Sequence, residues 1–456
     1  MTDLKKLLVF VLAVKLITAS SSSLREATHA AAPQGVAATE AAPHAKSVRV
    51  ISRSDYADKL YGFWLGACVA NWTGLVTEMD KVGVTADLDS GPFYTREDWG
   101  KPDQPNIWSK EPSPLSPTID FVLRGRDEVW GADDDTDIEY MYQHLLLSNR
   151  VCVLSPEQIR DGWLTHIHSE EENYLWVSNE RAYRLMEGGV LPPATSDPDL
   201  NAEYAMIDAQ LTTEIFGLFA PTRPDIALRM AHLPIRTTAR EDAAWISEFY
   251  VTMHALAAFH DGDQPLSEHL RWSAGKARTT LPEDSYAAKM HDHVLALYQS
   301  GVTWERARDS VYERYQLRHA DGYDMSDKPG GGCFAAGINF AASLVSLYYG
   351  EGDLKQTIKI GALCGWDSDN PTATWGGLLG FLHGREGIEQ AFGQPLSSRY
   401  HIHRTRRAFP AAVDEFSGMA TRGVAVVDRV VQFQMGGTID RANDCWIIPA
   451  AAGSTE

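Results

Sequence analysis

Residues 62–74 read GFWLGACVANWTG and place a small residue at every fourth position, at Gly62, Gly66, Ala70 and Gly74. Residues 375–384 read WGGLLGFLHG and repeat the pattern with Gly376, Gly380 and Gly384. A glycine inside a helix costs about 1 kcal/mol relative to alanine, so a row of glycines needs a compensating gain. Close packing of helix backbones along the small-residue stripe is the simplest such gain. Both segments are therefore predicted to be central helices.

The rest of the chain also favours helices. Apolar residues recur at three- and four-residue spacing from about residue 55 onward, as at Trp245, Phe249 and Met253, whereas alternation of β-branched residues is rare. Residues 83–127 differ, because they contain many prolines and glycines and few periodic apolar positions. We predict an all-α fold, a single large helical domain over residues 51–450, with a long irregular loop at about 83–127.

Charge and the N-terminal residues limit the setting in which the protein acts. A net charge of −20 over 456 residues would repel a nucleic-acid backbone, so nucleic acid is not an expected partner. Residues 1–20 combine lysines with a short apolar run and are typical of an export signal, too short for a stable membrane anchor. Residues 21–50 are rich in alanine, serine and proline and predict a flexible linker. The expected location is secreted or periplasmic.

Acidic residues precede one predicted helix. The segment VWGADDDTDIEY places Asp133, Asp134, Asp135 and Asp137 just before an apolar-periodic stretch. One aspartate favours a helix N-terminus, but three in a row repel one another unless a cation lies between them. Oxygen ligands of this kind suit a hard divalent ion. A metal site and a solvated acidic helix start both remain open for this segment alone.

A second acidic segment lies before the later glycine-rich helix. In GWDSDNPTATW, Asp367 and Asp369 lie two residues apart, Asn370 is the predicted N-cap and Pro371 is suited to the first helical turn. Helix capping with solvated acids would explain this segment by itself. Two acidic turns in aromatic and glycine-rich surroundings instead favour a joint metal site.

Three motifs together resemble those of the ADP-ribosylglycohydrolases. They are GFWLGACVANWTGLVTE at residues 62–78, DDDT at 133–136 and GWDSDN at 365–370, in the order and approximate spacing of that family. The resemblance implies an all-α fold of orthogonally packed helices. It also implies a centre of two divalent ions, Mg²⁺ or Mn²⁺, that hydrolyses the glycosidic bond of a small-molecule or protein-linked ADP-ribosyl compound and releases ADP-ribose.

The resemblance assigns roles to individual residues. The implied metal ligands are Asp133, Asp134, Asp135, Asp367, Asp369 and Asn370. The implied catalytic groups are Asp135 and Glu78, either of which would act as the general base. The chain departs from the family at Asn71, where aspartate is usual, at Asp133 and Asn370, where threonine is usual, and at Trp366, where glycine is usual.

Substrate-binding residues are predicted beside the motifs. Trp130 and Trp366 would stack on adenine or ribose if they face the site, although core packing is the more usual role of a tryptophan at either position. The backbone amides of Gly331 and Gly332 would hold a diphosphate, or the glycines simply form a tight turn. Asn71 of the first motif completes the predicted substrate-binding set.

Two other functions fit parts of the sequence. The amides at the motif positions are compatible with a non-catalytic relic that binds ADP-ribose without hydrolysing it. Asp133, Asp134 and Asp137 also spell the DDxxD pattern of helical terpene synthases, but residues 367–370 do not supply the second motif of those enzymes. A metal-dependent, monomeric ADP-ribosylglycohydrolase is therefore the preferred interpretation.

Overall fold

The computed structural model describes residues 48–85, 88–167 and 176–450. The predicted signal at 1–20 and the predicted linker up to residue 47 lie outside the described residues, so export stays a prediction. The last three residues assigned to the linker, 48–50, lie in a β-strand, β1 (Val48–Ser52).

Fourteen α-helices dominate the described part of the chain, in agreement with the predicted all-α class. They are α1 (Arg53–Gly74), α2 (Asp134–Ser148), α3 (Pro156–His166), α4 (Val177–Glu187), α5 (Ile215–Leu218), α6 (Pro224–Ile235), α7 (Glu241–Ala257), α8 (Leu266–Ala277), α9 (Tyr286–Gln299), α10 (Trp304–Val311), α11 (Ala336–Gly350), α12 (Leu354–Cys364), α13 (Asp369–Phe392) and α14 (Phe416–Phe433). None of these helices is both long and apolar enough to cross a membrane.

Six short strands form two small sheets at the edges of the helical core. The strands after β1 are β2 (Trp130–Gly131), β3 (Arg399–His401), β4 (Val413–Glu415), β5 (Thr438–Asp440) and β6 (Cys445–Pro449). One sheet has the order β1-β6-β5, with β1 antiparallel to β6. The other has the order β2-β3-β4 and pairs β2 in parallel with β3. The first sheet therefore joins the two ends of the described chain.

Helices α1 and α13 pack backbone against backbone, as the glycine rows predict. A methyl group added at Gly66 would overlap the carbonyl oxygen of Gly376 and lie 2.9 Å from the Cα atom of Gly380. Gly62 meets Gly380 in the same way, and Gly74 lies against the first turn of α13. The two helices therefore run antiparallel, with the C-terminal end of α1 beside the N-terminal end of α13.

The predicted irregular region is also confirmed. Among its described residues, 83–85 and 88–127 contain one 3₁₀ turn, Arg96–Asp98, and no α-helix. The buried guanidinium of Arg308 attaches this region to the core by donating to the carbonyl oxygens of Tyr94 at 3.0 Å and Leu363 at 3.3 Å. Farther along, the Ile107 amide donates to the Met79 carbonyl at 3.2 Å, which brings the loop next to the end of α1.

Replacing one glycine of the seam tests whether backbone contact holds the core together. We expect Gly66→Ala to lower the free energy of unfolding by about 1–3 kcal/mol, because the added methyl group overpacks a rigid contact between backbones. Gly275→Ala is the matched control, since Gly275 lies within α8 with nothing within 4 Å of the added methyl group. That change should be neutral or stabilise by up to about 1 kcal/mol. Equal denaturation midpoints for the two variants would contradict close packing of α1 on α13.

Candidate functional site

Two helix N-termini bring the acidic segments together. Helix α2 begins at Asp134 with Asp133 as its N-cap, in extended backbone conformation at φ −146°. Helix α13 begins at Asp369 with Ser368 as its N-cap. The predicted cap, Asn370, lies one position inside the first turn, because the helix starts earlier than the proline suggested. The positive end of each helix dipole favours carboxylates at these positions.

The turn after α1 holds Glu78 beside the second acidic segment. The Met79 amide donates to the Trp366 carbonyl at 2.9 Å, and the Trp366 amide donates to the Lys81 carbonyl at 2.7 Å. The hydroxyls of Thr77 and Ser368 are 3.0 Å apart and tie the same two segments together. Glu78 therefore owes its place to backbone pairing of two segments distant in sequence.

Six carboxylates form two neighbouring triads. Ligand oxygens of Glu78, Asp367 and Asp369 all lie within 4.8 Å of one another. Those of Asp133, Asp134 and Asp135 satisfy the same limit. Each triad has the size and the hard oxygen donors that a divalent cation requires. The acidic groups predicted from the two motifs, together with Glu78, are thus brought to one place.

The electrostatics of the triads are unfavourable without a cation. Burial, and then the charges of neighbouring carboxylates, raise the pKa values of Asp134, Asp135, Asp367 and Asp369 well above the usual range. Burial and Asp133 raise the pKa of Glu78 to about 8. The Asp369 Oδ1 atom is buried without a hydrogen-bond partner. An orphaned carboxylate oxygen among crowded acids fits a metal-binding site.

Two amide side chains face Asp135 from opposite sides. Asn71 Nδ2 donates to Asp133 Oδ2 at 3.0 Å and to Asp135 Oδ2 at 3.3 Å. Asn370 Nδ2 donates to Asp135 Oδ1 at 3.0 Å. Both asparagines are fully buried. Asn71, a predicted substrate-binding residue, and Asn370, a predicted metal ligand, are therefore placed as hydrogen-bond donors to the acidic cluster.

Asp137 is separated from the cluster by its own partners. Its carboxylate forms a fully buried ion pair with Arg406 at 3.1 Å and accepts a hydrogen bond from the Thr405 hydroxyl. Asp137 is absent from the residues that line the cavity beside the triads. The DDxxD pattern thus does not present its third aspartate together with Asp133 and Asp134.

The triads open into a cavity of about 240 Å³. All six carboxylates of the triads share its wall with aromatic, apolar and polar side chains. The lining residues are Leu75, Glu78, Asn106, Trp108, Asp133, Asp134, Asp135, Trp176, Val177, Ile207, Asp208, Leu211, Phe334, Asp367 and Asp369. The cavity therefore has an acidic wall and an aromatic wall.

The aromatic wall consists of three nearly parallel rings. Trp108 stacks on Trp176 with 6.3 Å between ring centroids and 8° between planes, and on Phe334 at 5.7 Å and 12°. The Trp108 and Trp176 side chains are 54% and 59% exposed, unusual for tryptophan. Asn106 Oδ1 accepts from the amides of Trp108 and Ser109 and shapes the turn that presents Trp108.

The tryptophans predicted to bind substrate lie elsewhere. Trp130 is buried and donates from Nε1 to the Ser397 carbonyl at 3.0 Å. Trp366 is buried, donates to Gln316 at 2.8 Å and packs on Phe93 with ring centroids 4.8 Å apart. Neither side chain is among the residues that line the cavity. Both take the core-packing role that the sequence left open.

The two predicted diphosphate-binding glycines form a turn. Gly331 and Gly332 lie in a 3₁₀ turn, Pro329–Gly332, with φ values of +67° and +80° that favour glycine. The Gly331 amide already donates to the Lys328 carbonyl at 2.9 Å. Both glycines line a separate cavity of about 240 Å³ with Thr85 and Met325. Neither glycine lines the acidic cavity, whereas Phe334, two residues after Gly332, does.

Sequence reasoning missed Trp108, Trp176, Phe334 and Asn106. Trp108 and Asn106 belong to the irregular loop, and none of the four residues adjoins an acidic motif in sequence. The one available signal for Trp108 was a tryptophan in a polar, proline-rich segment with no apolar periodicity to bury it. Asp208, whose pKa burial raises to about 6, also lines the cavity.

Two further buried acids, Glu139 and Glu214, lie near the carboxylate triads. Glu139, one turn after Asp135 on α2, and Glu214 are both buried. The Ile215 amide donates to Glu139 Oε1 at 2.7 Å, and the Thr374 hydroxyl donates to Glu214 Oε1 at 2.7 Å. Burial raises the pKa of Glu214 to about 7, and burial together with Glu214 raises the pKa of Glu139 well above the usual range. The two carboxyl groups therefore retain a proton near neutral pH.

The acid pair predicts a pH-dependent gain from Glu139→Gln. Because burial and Glu214 raise the pKa of Glu139 well above its usual range, the folded protein keeps a proton on Glu139 that the unfolded chain releases, and stability falls as pH rises above the ordinary carboxyl range. A neutral amide at position 139 releases no proton on unfolding, so it removes this loss. In thermal melts we expect the variant to gain roughly 1–3 kcal/mol on the wild type between pH 5 and pH 8. Glu386→Gln, at an exposed position of α13, should show no such trend. A parallel trend in both variants would refute the raised pKa of Glu139.

A comparison with protein-family profiles agrees with the sequence motifs. The profile of the ADP-ribosylglycohydrolase family matches residues 52–420, about four fifths of the chain. Among curated proteins, none is similar enough in sequence to count as a match. One solved structure, described as an ADP-ribosylglycohydrolase-related protein complex, aligns with a TM-score of 0.44 and 15% identity over 82% of this chain and 98% of the other. On the extent of the profile match, this chain belongs to the ADP-ribosylglycohydrolase family.

Proposed function

We propose that this protein hydrolyses the glycosidic bond of an ADP-ribosyl or related ribosyl compound, in a reaction that depends on divalent metal ions. The observation that carries the proposal is the pairing of two carboxylate triads with an exposed aromatic wall in one cavity. Family membership supports the reaction class. The crowded acids support the metal dependence, because their charges repel one another in the absence of a cation.

Two ions of Mg²⁺ or Mn²⁺, both of which prefer oxygen ligands, would be held by five of the six carboxylates, those of Asp133, Asp134, Asp135, Asp367 and Asp369. Such ions, when bound, supply positive charge that orients the ribose hydroxyls and makes water a better nucleophile. Asp134 and Asp135 on one side and Asp367 and Asp369 on the other are the principal ligands in this proposal. The dipoles of α2 and α13 add to the attraction for the carboxylate form of these ligands.

Glu78 is the better candidate for the general base. Both carboxylate oxygens of Asp135 accept hydrogen bonds from buried amides, which restrict its rotation and favour its charged form. Glu78 lines the cavity from a turn and is only partly buried. A base must reach both the attacking water and the solvent that finally receives the proton. Asp135 is therefore proposed as a ligand, and Glu78 as the group that accepts the proton from water.

The aromatic wall would bind the end of the substrate away from the reacting carbon. Drug-sized ligands occupy pockets of roughly 300–1,000 Å³, so a cavity of about 240 Å³ encloses only part of an ADP-ribosyl group. The remainder would extend over the exposed faces of Trp108 and Trp176. A planar base stacks on such rings without any charge requirement, whereas the ribose end meets the acidic wall.

Release of ADP-ribose from a mixed panel of ADP-ribosylated substrates tests the proposal. With Mg²⁺ or Mn²⁺ present, we expect the wild type to release ADP-ribose and the double variant Asp134→Asn, Asp367→Asn to lose at least about a hundredfold in rate, as loss of metal-ligand charge predicts. The control variant, Asp199→Asn, Asp263→Asn, removes two exposed carboxylates and should keep full activity. Metal-dependent binding of ADP-ribose without release would instead favour the non-catalytic relic.

Trp108→Ala tests the aromatic wall. Stacking of a base on an aromatic ring contributes about 1–3 kcal/mol, so the variant should raise KM by roughly five- to a hundredfold while changing kcat little. Trp272→Ala is the control, because Trp272 is also partly exposed but lies on α8, outside the acidic cavity. Equal KM values for the two variants would exclude Trp108 from substrate binding.

A further inference from the structure

Three segments contribute polar residues to two buried layers beside the carboxylate triads. On α2 and α13 these residues lie four positions apart, so that one side chain lies above the other. The third segment, between the 3₁₀ turn Ile207–Ala209 and α5, is not helical and supplies Gln210 and Glu214. The upper layer holds Asp135 of α2, Asn370 of α13 and Gln210; the lower layer holds Glu139, Thr374 and Glu214. Gln210 belongs to no motif, and the proposed reaction has not so far assigned it a role.

The upper layer is a chain of two hydrogen bonds with one direction. Gln210 Nε2 donates to Asn370 Oδ1 at 3.0 Å, and Asn370 Nδ2 donates to Asp135 Oδ1 at 3.0 Å. All three side chains are at least nine-tenths buried. Reversing the Asn370 amide would place its oxygen against a carboxylate oxygen and its nitrogen against the Gln210 donor. The Gln210 donor on one side and the Asp135 acceptor on the other thus both require the Asn370 nitrogen to face the cluster.

The lower layer fixes the segment that carries Gln210. Thr374 of α13 donates to Glu214 Oε1 at 2.7 Å, and the Thr213 amide donates to Glu214 Oε2 at 3.2 Å. The backbone N–H of Gln210 donates to the Ile207 carbonyl at 2.9 Å, and the Ile215 amide donates to Glu139 of α2 at 2.7 Å. The segment that carries Gln210 is thus held relative to both α13 and α2.

We propose that Gln210 is a positioning residue that locks the Asn370 amide with its nitrogen toward Asp135. Asn370 then serves as a hydrogen-bond donor that orients a metal ligand, and it contributes no oxygen to the metal centre. The inference rests on the proposed metal dependence and changes the role predicted for Asn370 from the family resemblance. With the Asn370 amide held in this way, called the lock below, the metal centre has one fewer oxygen ligand than the family motif implies.

Releasing the lock should strengthen metal binding. Gln210→Met keeps a side chain of similar length but removes the donor to Asn370 Oδ1 without adding charge. The Asn370 oxygen, a hard donor, then becomes free to turn toward a bound ion. Turning the Asn370 amide toward an ion then breaks one hydrogen bond, to Asp135, where the wild type must break two. We therefore expect Mn²⁺ to bind roughly fivefold more tightly, the change that one net hydrogen bond corresponds to. If Gln210 has only a structural role, Gln210→Met should instead bind Mn²⁺ more weakly than the wild type.

Calorimetric titration of the full-length protein with Mn²⁺ provides the test, for the wild type, Gln210→Met, Asn370→Ala and the double variant. The tightening should appear in Gln210→Met and vanish in the double variant relative to Asn370→Ala, because Asn370 transmits the effect. Gln143→Met is the matched control; Gln143 is equally buried on α2 but donates to the Met419 carbonyl at 3.2 Å. Metal-free thermal melts identify any variant that fails to fold.

Unchanged or weaker Mn²⁺ binding in a folded Gln210→Met variant would overturn the lock. So would an equal tightening in the Asn370→Ala background, because the effect would then bypass Asn370. Failure of the wild type itself to bind Mn²⁺ would contradict the proposed function, and the inference with it. Tightening that requires Asn370 supports the lock whether or not a substrate has been found.

Discussion

Direct contact between the backbones of α1 and α13 is the constraint on which the site depends. The glycines at 62, 66, 376 and 380 leave no room for a methyl group between the helices. Because the helices are antiparallel, this seam brings the end of α1 to the start of α13. Glu78 follows the first helix and Asp369 opens the second, so the same packing that forms the core also assembles one carboxylate triad.

Repulsion among the assembled carboxylates destabilises the fold, and neighbouring residues offset only part of this repulsion. Arg404 and Arg406 attract the Asp133 carboxylate, and Asn71 donates to it, which limit the rise in its pKa. No such cation is among the causes of the raised pKa values of Asp369 and Glu78. The negative charge without a nearby cation therefore belongs to the triad of Glu78, Asp367 and Asp369, where Asp369 Oδ1 also lacks a hydrogen-bond partner. The repulsion in this triad destabilises the folded protein, and a bound cation would offset it, as is typical of functional sites.

Features that depend on residues close together in sequence could be predicted, whereas features that depend on residues far apart in sequence could not. Helix periodicity, the glycine rows and the acidic helix N-termini are local patterns. The sequence could therefore predict the helical class and the proximity of Asp134, Asp135, Asp367 and Asp369. The roles of Trp130 and Trp366 were not, because proximity to a motif in sequence does not specify which way a ring points. Amide orientation at Asn370 depends on Gln210, which lies 160 residues away. No local pattern encodes such a partner.

The two walls of the cavity are determined separately. The acidic wall is tied to the glycine seam and to two helix N-termini, so a change there disturbs the core. The aromatic wall comes from Trp108 in an irregular loop, Trp176 just before α4 and Phe334 just before α11. Loop residues of this kind exchange at little cost to folding. We therefore expect the reaction chemistry to depend on the packed helices that carry the carboxylate triads, and the choice of substrate to depend on segments that can vary without moving those carboxylates.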